Sequence, residues 1–147
     1  MKARAKKNKK IKIYLAGAFS GWRDNVIASL SSYPIEFYDP RTDTDQSSIC
    51  SFTTDDKNGV ANSSAILCYA QEGHENVGLA WEAGIAVQAK VPLILVAEVD
   101  FIFPLLAGSA LRIFTSIPPA MDYFAEWAKT GNELKAAYGA YYKSARG

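Results

Sequence analysis

Glu82 is the residue whose surroundings most clearly indicate chemistry. It lies in the stretch Val77 to Lys90, VGLAWEAGIAVQAK, where the other polar residues are Gln88 and Lys90. Its neighbours one helical turn away are small or apolar, and an unpaired charge among them is costly. Glu82 is therefore either a structural carboxylate, paired or capping a neighbouring element, or a functional group. The strand and polar turn before the helix favour the second, because they point its first turns towards a cleft.

A carboxylate in this position suits one kind of reaction. In the second turn of a helix the dipole favours the ionised form, which is the form a nucleophile needs. Carboxylate nucleophiles are typical of glycosyl transfer, in which a second acid manages the proton of the leaving group. Asp55 and Asp56, at the start of a predicted helix, are the candidates for that acid. The pattern indicates covalent glycosyl transfer.

Other chemistries have less support. Cys50 and Cys68 lack metal-ligand spacing, and the chain has a single His. We therefore expect no thiol nucleophile, no metal and no organic cofactor. Beyond the basic residues at positions 2–12, the chain holds 9 basic and 15 acidic residues, a formal charge of −6. We expect no nucleic-acid partner beyond a weak contact through the basic N-terminus, since polyphosphate binding needs clustered cations.

The composition predicts one domain. With 147 residues and 49% hydrophobic content, the chain is long enough to bury a core without disulfides or metal. Residues 1–10 are predicted to be a basic, disordered leader, and residues 11–147 a single domain. No secretory signal and no apolar run long enough for a membrane span is present, so we expect a cytoplasmic protein with no membrane partner.

Apolar runs and helical patterns alternate along the chain. This order predicts an α/β fold, a doubly wound (Rossmann- or flavodoxin-like) parallel sheet of about five strands with helices on both faces. Its ligands should bind beyond the carboxyl ends of the strands. The predicted strands are Ile11–Ala16, Ile35–Tyr38, Ala65–Tyr69, Pro92–Ala97 and a weak one at Arg112–Thr115. The predicted helices cover about 22–31, 55–63, 77–90, a stretch before Phe114, and 117–129, with a loop over 41–54.

Several of these segments resemble one family. Asp56 to Val60 (DKNGV), the strand Ala65–Tyr69 and Glu75 to Gly84 (ENVGLAWEAG) resemble the central block of the nucleoside 2-deoxyribosyltransferases. Ile11 to Gly17 (IKIYLAG) resembles that family's first strand. The resemblance covers roughly residues 11 to 98.

The resemblance implies three catalytic roles. Glu82 is implied to be the nucleophile that attacks C1′ of the sugar, and Tyr14 to donate a hydrogen bond that orients it. Asp56 is implied to meet the nucleobase and help its protonation. The alternatives are that Tyr14 is a core aromatic, that Asp56 is only a helix N-terminal acid, and that Asp55 takes its place. Trp81, Trp22 and Phe19 could stack on a base, although the position of Trp81 favours the core.

One departure from the family concerns the substrate. Six residues before the nucleophile the transferases carry an Asp that contacts a sugar hydroxyl, and related nucleotide N-glycosidases carry a Ser; this chain has Asn76. The loss of a negative charge favours a 5′-phosphorylated substrate. Ser20 and Arg23, near a helix N-terminus, form a candidate phosphate site, unless Arg23 is simply exposed. The other predicted substrate-binding residues are Gly17, Phe19, Asp55, Gly78 and Ser109.

Ser109 also bears on assembly. The segment Gly108 to Leu111 (GSAL) resembles one through which family members complete a neighbouring subunit's site, so we expect a homo-oligomer with shared active sites. The leading functional expectation is transfer of the sugar of a 2′-deoxynucleoside, with a free nucleobase as second substrate. The alternatives are a nucleoside 5′-monophosphate N-glycosidase and a non-catalytic nucleotide-binding module on the same fold.

Overall fold

The computed structural model of the chain describes residues 10–74 and 76–131. Of the predicted basic leader only Lys10 is described. The last part of the predicted domain, residues 132–147, and Glu75 also lie outside the described residues.

Five parallel strands form one sheet in the order β2-β1-β3-β4-β5, which confirms the predicted fold class. The order reverses between β1 and β3, so a crevice opens beyond the carboxyl ends of these two strands. The strands are β1 (Ile11–Gly17), β2 (Ile35–Tyr38), β3 (Ala65–Gln71), β4 (Leu93–Glu98) and β5 (Arg112–Phe114). The helices are α1 (Trp22–Ser29), α2 (Pro40–Asp43), α3 (Ile49–Ala61), α4 (Val77–Gln88), α5 (Pro104–Ser109) and α6 (Ile117–Thr130).

Helices cover both faces of the sheet, as predicted. Alternate side chains of β1 pack into two separate cores: Ile13 and Leu15 contact the layer of α1 and α6, while Tyr14 faces α3, α4 and α5. Burial on both faces explains why these strands read as continuous apolar runs.

The predicted loop over residues 41–54 is wrong except at residues 44–48, which connect two helices. The one-turn helix α2 begins directly after Asp39, whose carboxylate caps it by accepting from the backbone N–H of Arg41 at 3.0 Å. Helix α3 then begins at Ile49, six residues earlier than predicted, with Ser48 as N-cap. The cap, which accepts from the N–H of Ser51, starts a helix whose first turns have no apolar periodicity.

The apolar sequence of α4 predicts a helix that is buried on all sides. This prediction is wrong. Only Leu79, Ala83 and Ala86 are buried, on the side that packs against the sheet. On the outer side Val77 and Val87 are exposed. An apolar sequence thus produced a helix with one covered face and one open apolar face.

Among residues 10–74 and 76–131, no helix has the length and apolar character needed to cross a membrane.

Candidate active site

A cavity of about 430 Å³ lies beyond the carboxyl end of β1, between α3 and α4. This is the crevice that the strand order creates at the point of reversal. Its volume is in the range of small-molecule sites. It is lined by Gly17, Ala18, Phe19, Arg23, Pro40, Phe52, Thr53, Asp56, Gly78, Leu79, Trp81 and Glu82.

Glu82 reaches this cavity from the second turn of α4. Its Oε2 atom is enclosed and has no hydrogen-bond partner in the described part of the chain. Burial, together with the negative charge of Asp56, raises the pKa of Glu82 to about 7, against the lowering effects of Tyr14 and Arg23. The expectation that the helix dipole keeps Glu82 ionised finds no support in this shift, since the effect of the dipole on a charge falls off beyond the first turn of the helix.

Tyr14 lies beneath the cavity, on the central part of β1. The residue is fully buried, and its hydroxyl has no hydrogen bond of ordinary geometry within the described ranges. The hydroxyl nevertheless interacts with the carboxyls of both Glu82 and Asp56, and each interaction lowers the pKa of the acid concerned. Burial and the neighbouring Glu82 raise the pKa of Tyr14 well above its usual value, so the phenol keeps its proton and remains a donor.

Asp56 enters the cavity from the opposite wall, helix α3. The residue is buried, and its Oδ1 accepts a hydrogen bond of 2.5 Å from the hydroxyl of Thr44. Burial raises the pKa of Asp56, while the bonds from Thr44 and Tyr14 oppose that rise. The structure thus places two acids with raised pKa values, Glu82 and Asp56, on facing helices around one cavity.

Asp55 points away from this arrangement. Its Oδ2 accepts from the backbone N–H of Asp45 at 2.9 Å, and the side chain is not among the described residues that line the cavity. Of the two acids between which the sequence left a choice, the structure places Asp56 in the cavity. Asp55 holds the connection between α2 and α3.

Arg23 is neither exposed nor free. It is 1% exposed, and its guanidinium donates to the carbonyls of Leu15, Gly17 and Ala18 over 2.8–3.2 Å. Asp39 lies 3.8 Å away. These four bonds leave one N–H of the guanidinium, on Nη1, for a ligand. Arg23 lines the cavity, but most of its donors hold the turn that follows β1.

Asn76, the N-cap of α4, is not among the residues that line the cavity with Glu82. It lines a second, mainly apolar cavity of about 470 Å³ together with Val77, Phe101 and Phe103. Its Oδ1 is enclosed without a partner among the described residues. The structure therefore does not bring Asn76 to Glu82 within this chain, and the argument for a phosphate from its neutral side chain loses its geometric basis.

The predicted glycines lie where a ligand needs room. Gly78 lines the cavity, and the position of its missing side chain is open space. Gly17 has a φ of +153°, and a Cβ there would lie 2.8 Å from the carbonyl oxygen of Tyr69. No other residue fits at Gly17 without moving the end of β1.

The turn after β1 carries two further predicted residues. Phe19 lines the cavity and is largely exposed. Ser20 instead donates to Oε1 of Gln71 at 3.0 Å, which ties the turn to the end of β3. Phe19 is therefore placed for a ligand contact, and Ser20 for holding the turn.

Ser109 lies at the end of α5 and is not among the residues that line either of the two cavities described above. Its hydroxyl donates to the carbonyl of Leu105 at 2.7 Å, and the residue is exposed.

Sequence reasoning missed part of the cavity wall. Trp81, assigned to the core, is 45% exposed and lines the cavity beside Glu82. Phe52 and Thr53 line it from the first half of α3, the segment predicted as a loop. The wall of the cavity is thus more aromatic than expected, with Trp81, Phe52 and Phe19 around the two acids.

No three His, Cys, Asp or Glu side chains within residues 10–74 and 76–131 are grouped so that they could hold a metal ion.

Comparison with known proteins gives matches in structure. No family model and no curated protein matches the sequence. A 2-deoxyribosyltransferase from Bacillus psychrosaccharolyticus is similar with a TM-score of 0.61 at 20% identity, over 76% of this chain and 91% of that one. A conserved protein from Enterococcus faecalis V583 gives 0.66 at 16% identity, over 84% and 99%.

A CMP N-glycosidase from Clostridium botulinum is similar with a TM-score of 0.59 at 13% identity, over 79% of this chain and 98% of that one. At these identities the likeness concerns the fold. The resemblance seen in the sequence is therefore confirmed at the level of the fold: the chain has the architecture shared by a 2-deoxyribosyltransferase and a CMP N-glycosidase.

Proposed function

We propose that this protein cleaves the N-glycosidic bond of a 2′-deoxynucleoside and transfers the deoxyribosyl group to a second nucleobase through an ester on Glu82. One observation carries the proposal: Glu82 and Asp56 face one cavity from two helices, with the Tyr14 hydroxyl interacting with both. The fold shared with a 2-deoxyribosyltransferase supports the same reaction class.

In the first half-reaction the ionised carboxylate of Glu82 attacks C1′. A C1′–O bond forms, the C1′–N bond breaks, and its electron pair goes to the departing base. Asp56 in its protonated form donates a proton to that base and becomes a carboxylate. Burial raises the pKa of Asp56 and so increases the share of its protonated form, while the charge of an ionised Asp56 opposes the ionisation of Glu82. The reactive form is the one in which the proton is on Asp56 and the Tyr14 hydroxyl stabilises the ionised Glu82.

In the second half-reaction an acceptor base attacks C1′ from the face that the first base left. The ester C1′–O bond breaks, Glu82 recovers its carboxylate, and Asp56 takes up the proton that the acceptor nitrogen loses. Water attacking in the same place gives free deoxyribose instead. Transfer and hydrolysis therefore share the intermediate and differ in what attacks it.

The walls of the cavity suit a nucleoside without a phosphate. Trp81, Phe52 and Phe19 offer aromatic surface for a base, and the two acids lie among them. The nucleotide N-glycosidase alternative has less support. Arg23 donates four hydrogen bonds to backbone carbonyls, which leaves it one N–H for a phosphate, and Asn76 lines the second cavity. A phosphate dianion would also lie beside two carboxyl groups.

We further propose a homo-oligomer. The outer face of α4 and the segment before α5 expose large apolar side chains, which favours a second copy as their cover. In such an assembly Ser109, remote from its own chain's cavity, would complete a neighbouring site. The exposed side chains are Val77 and Val87 on α4, Phe101 and Phe103 before α5, and Leu105 in its first turn.

Base exchange tests the proposed function. The protein is incubated with a deoxynucleoside and a different free base, or with a deoxynucleoside 5′-monophosphate, and the products are separated by chromatography. The proposal predicts a new deoxynucleoside from the first mixture, none with Glu82→Gln, and little reaction in the second. Base release confined to the monophosphate would support the N-glycosidase. Binding without bond cleavage in either mixture would support the nucleotide-binding module.

A further inference from the structure

Thr44 connects Asp56 to a part of the fold outside the cavity. The residue is 6% exposed and follows α2 directly. Its hydroxyl donates to Oδ1 of Asp56 at 2.5 Å and lies 2.8 Å from the hydroxyl of Tyr38. Because Thr44 has one hydroxyl hydrogen and gives it to Asp56, the Tyr38 hydroxyl is the donor in the hydrogen bond between the two hydroxyls, with the carbonyls of Asp43 and Asp55 as its other acceptors.

Packing fixes the ring of Tyr38, and two backbone carbonyls lie within hydrogen-bonding distance of its hydroxyl. Its ring stacks on Tyr14, and a Cβ on Gly59 would lie 2.7–2.9 Å from ring carbons, so only glycine admits the ring there. The carbonyls of Asp55 and Asp43 lie 3.2 and 3.3 Å from its hydroxyl. The position of Thr44 is thus fixed from β2, α2 and α3 together.

The hydrogen bond from Thr44 makes the two carboxyl oxygens of Asp56 unequal. With Thr44 donating to Oδ1, that oxygen acts as an acceptor in both protonation states of the carboxyl. The transferable proton is then carried on Oδ2, the oxygen that Thr44 leaves for the cavity. An Asp56 without this bond could rotate or carry its proton on either oxygen.

We propose that Thr44 is a positioning residue, which orients Asp56 so that Oδ2 presents its proton to the departing nucleobase. The inference rests on the proposed function and adds a residue to it. Thr44 touches neither sugar nor base and acts through Asp56. The other ionisable groups around Asp56 are Glu82 on α4, Arg23 on α1, Tyr14 on β1, Tyr38 on β2 and Asp55 on α3 itself.

The test compares Thr44→Val, which removes the hydroxyl, with Thr44→Ser, which keeps it. Each variant is assayed on a natural deoxynucleoside and on one whose leaving group departs without a proton. We expect Thr44→Val to lower kcat/KM for the natural substrate by about 10-fold, as for loss of one hydrogen bond. The activated substrate should lose less than about 3-fold, and Thr44→Ser should retain both activities.

A double-mutant cycle separates positioning from a structural role. In an Asp56→Asn background, Thr44→Val should cause no further loss, because the group it orients no longer donates a proton. An equal loss on both substrates, or a full additional loss in that background, would overturn the proposal. If Thr44→Val fails to fold, Tyr38→Phe replaces it, since it removes the donor to Thr44 and keeps the ring; it must show the same selective loss.

Failure of the proposed function is recognised separately. A wild-type protein that cleaves neither substrate overturns the proposed function and this inference with it. An active wild type whose Thr44→Val variant keeps its full rate on the natural deoxynucleoside overturns the role of Thr44 alone.

Discussion

The rings of Tyr14 and Tyr38 lie face to face, with centroids 5.0 Å apart and planes 10° from parallel. The two residues are partners in the register of β1 and β2. The Tyr14 hydroxyl interacts with Glu82, and the Tyr38 hydroxyl contacts Thr44, which bonds Asp56. One cross-strand pair thereby supports both acids of the candidate site.

Tyr14→Phe keeps this stack and removes the hydroxyl. Because the hydroxyl lowers the pKa of Glu82, its loss should raise that pKa further. A nucleophilic Glu82 must be ionised, so kcat/KM of the wild type should rise with pH through about 7 on a substrate with an activated leaving group, which needs no proton from Asp56. We expect this rise to move to higher pH in Tyr14→Phe, measured as a pH–rate profile. An unchanged pH–rate profile would mean that the Tyr14 hydroxyl does not influence the ionisation of Glu82.

Asp56→Asn should move the same rise to lower pH, because the charge of Asp56 raises the pKa of Glu82. With natural deoxynucleosides the variant should lose about 10²- to 10⁴-fold in kcat, as expected for loss of a general acid. A substrate with an activated leaving group should lose far less, and the profile is best recorded with it. Asp55→Asn is the matched control and should behave as wild type. Equal losses on both substrates would make Asp56 a structural helix acid.

Glu82→Gln should change stability in a pH-dependent way. Burial raises the pKa of Glu82 in the folded protein to about 7, so between about 4.5 and 7 the folded state binds more protons than the unfolded state. Wild-type stability therefore falls over this range as pH rises. The variant lacks this titration. Its Tm should exceed that of the wild type above pH 7, and the difference should shrink towards pH 4.5. A difference independent of pH would mean that Glu82 does not titrate with folding.

Trp81→Ala should weaken substrate binding. An exposed tryptophan in the cavity wall offers stacking surface, and loss of base stacking costs about 1–3 kcal/mol. We expect a higher KM for the deoxynucleoside with a smaller change in kcat. Val87→Ala, exposed on the same helix but not among the described lining of either cavity, is the control. Equal effects of the two changes would assign Trp81 to the apolar outer face of α4 rather than to the ligand.

The sequence predicted the sheet well because its strands are buried on both faces. Runs such as Ile11–Gly17 and Ala65–Gln71 are almost entirely apolar and are bounded by turns. The predicted ends of these strands therefore lie close to the observed ones. The first half of α3 could not be predicted in this way. It begins at the Ser48 cap, and its polar residues carry no periodicity.

The site was predictable where a residue conflicted with its surroundings. Glu82 is conspicuous because a charge interrupts an apolar helix. Trp81 is not, because a helix that is apolar all round does not reveal which side meets the sheet. Thr44 lies in a stretch of similar Ser, Thr and Asp residues, and its bond to Asp56 depends on the one-turn helix α2. The carbonyls around Arg23 and the cavity that Asn76 lines are brought there by the three-dimensional fold, which residue spacing does not encode.

The central claim is that the sugar becomes covalently attached to Glu82. A 2′-deoxy-2′-fluoro nucleoside with an activated leaving group should let the ester accumulate, because the fluorine slows both half-reactions and the leaving group restores the rate of the first. Mass spectrometry of the intact protein, followed by peptide mapping, measures it directly, with Glu82→Gln as the control. We predict a single added fluorodeoxyribosyl group on the peptide containing Glu82, released by an acceptor base. A wild-type protein that turns over deoxynucleosides with no adduct, or with the adduct on another residue, would contradict the account.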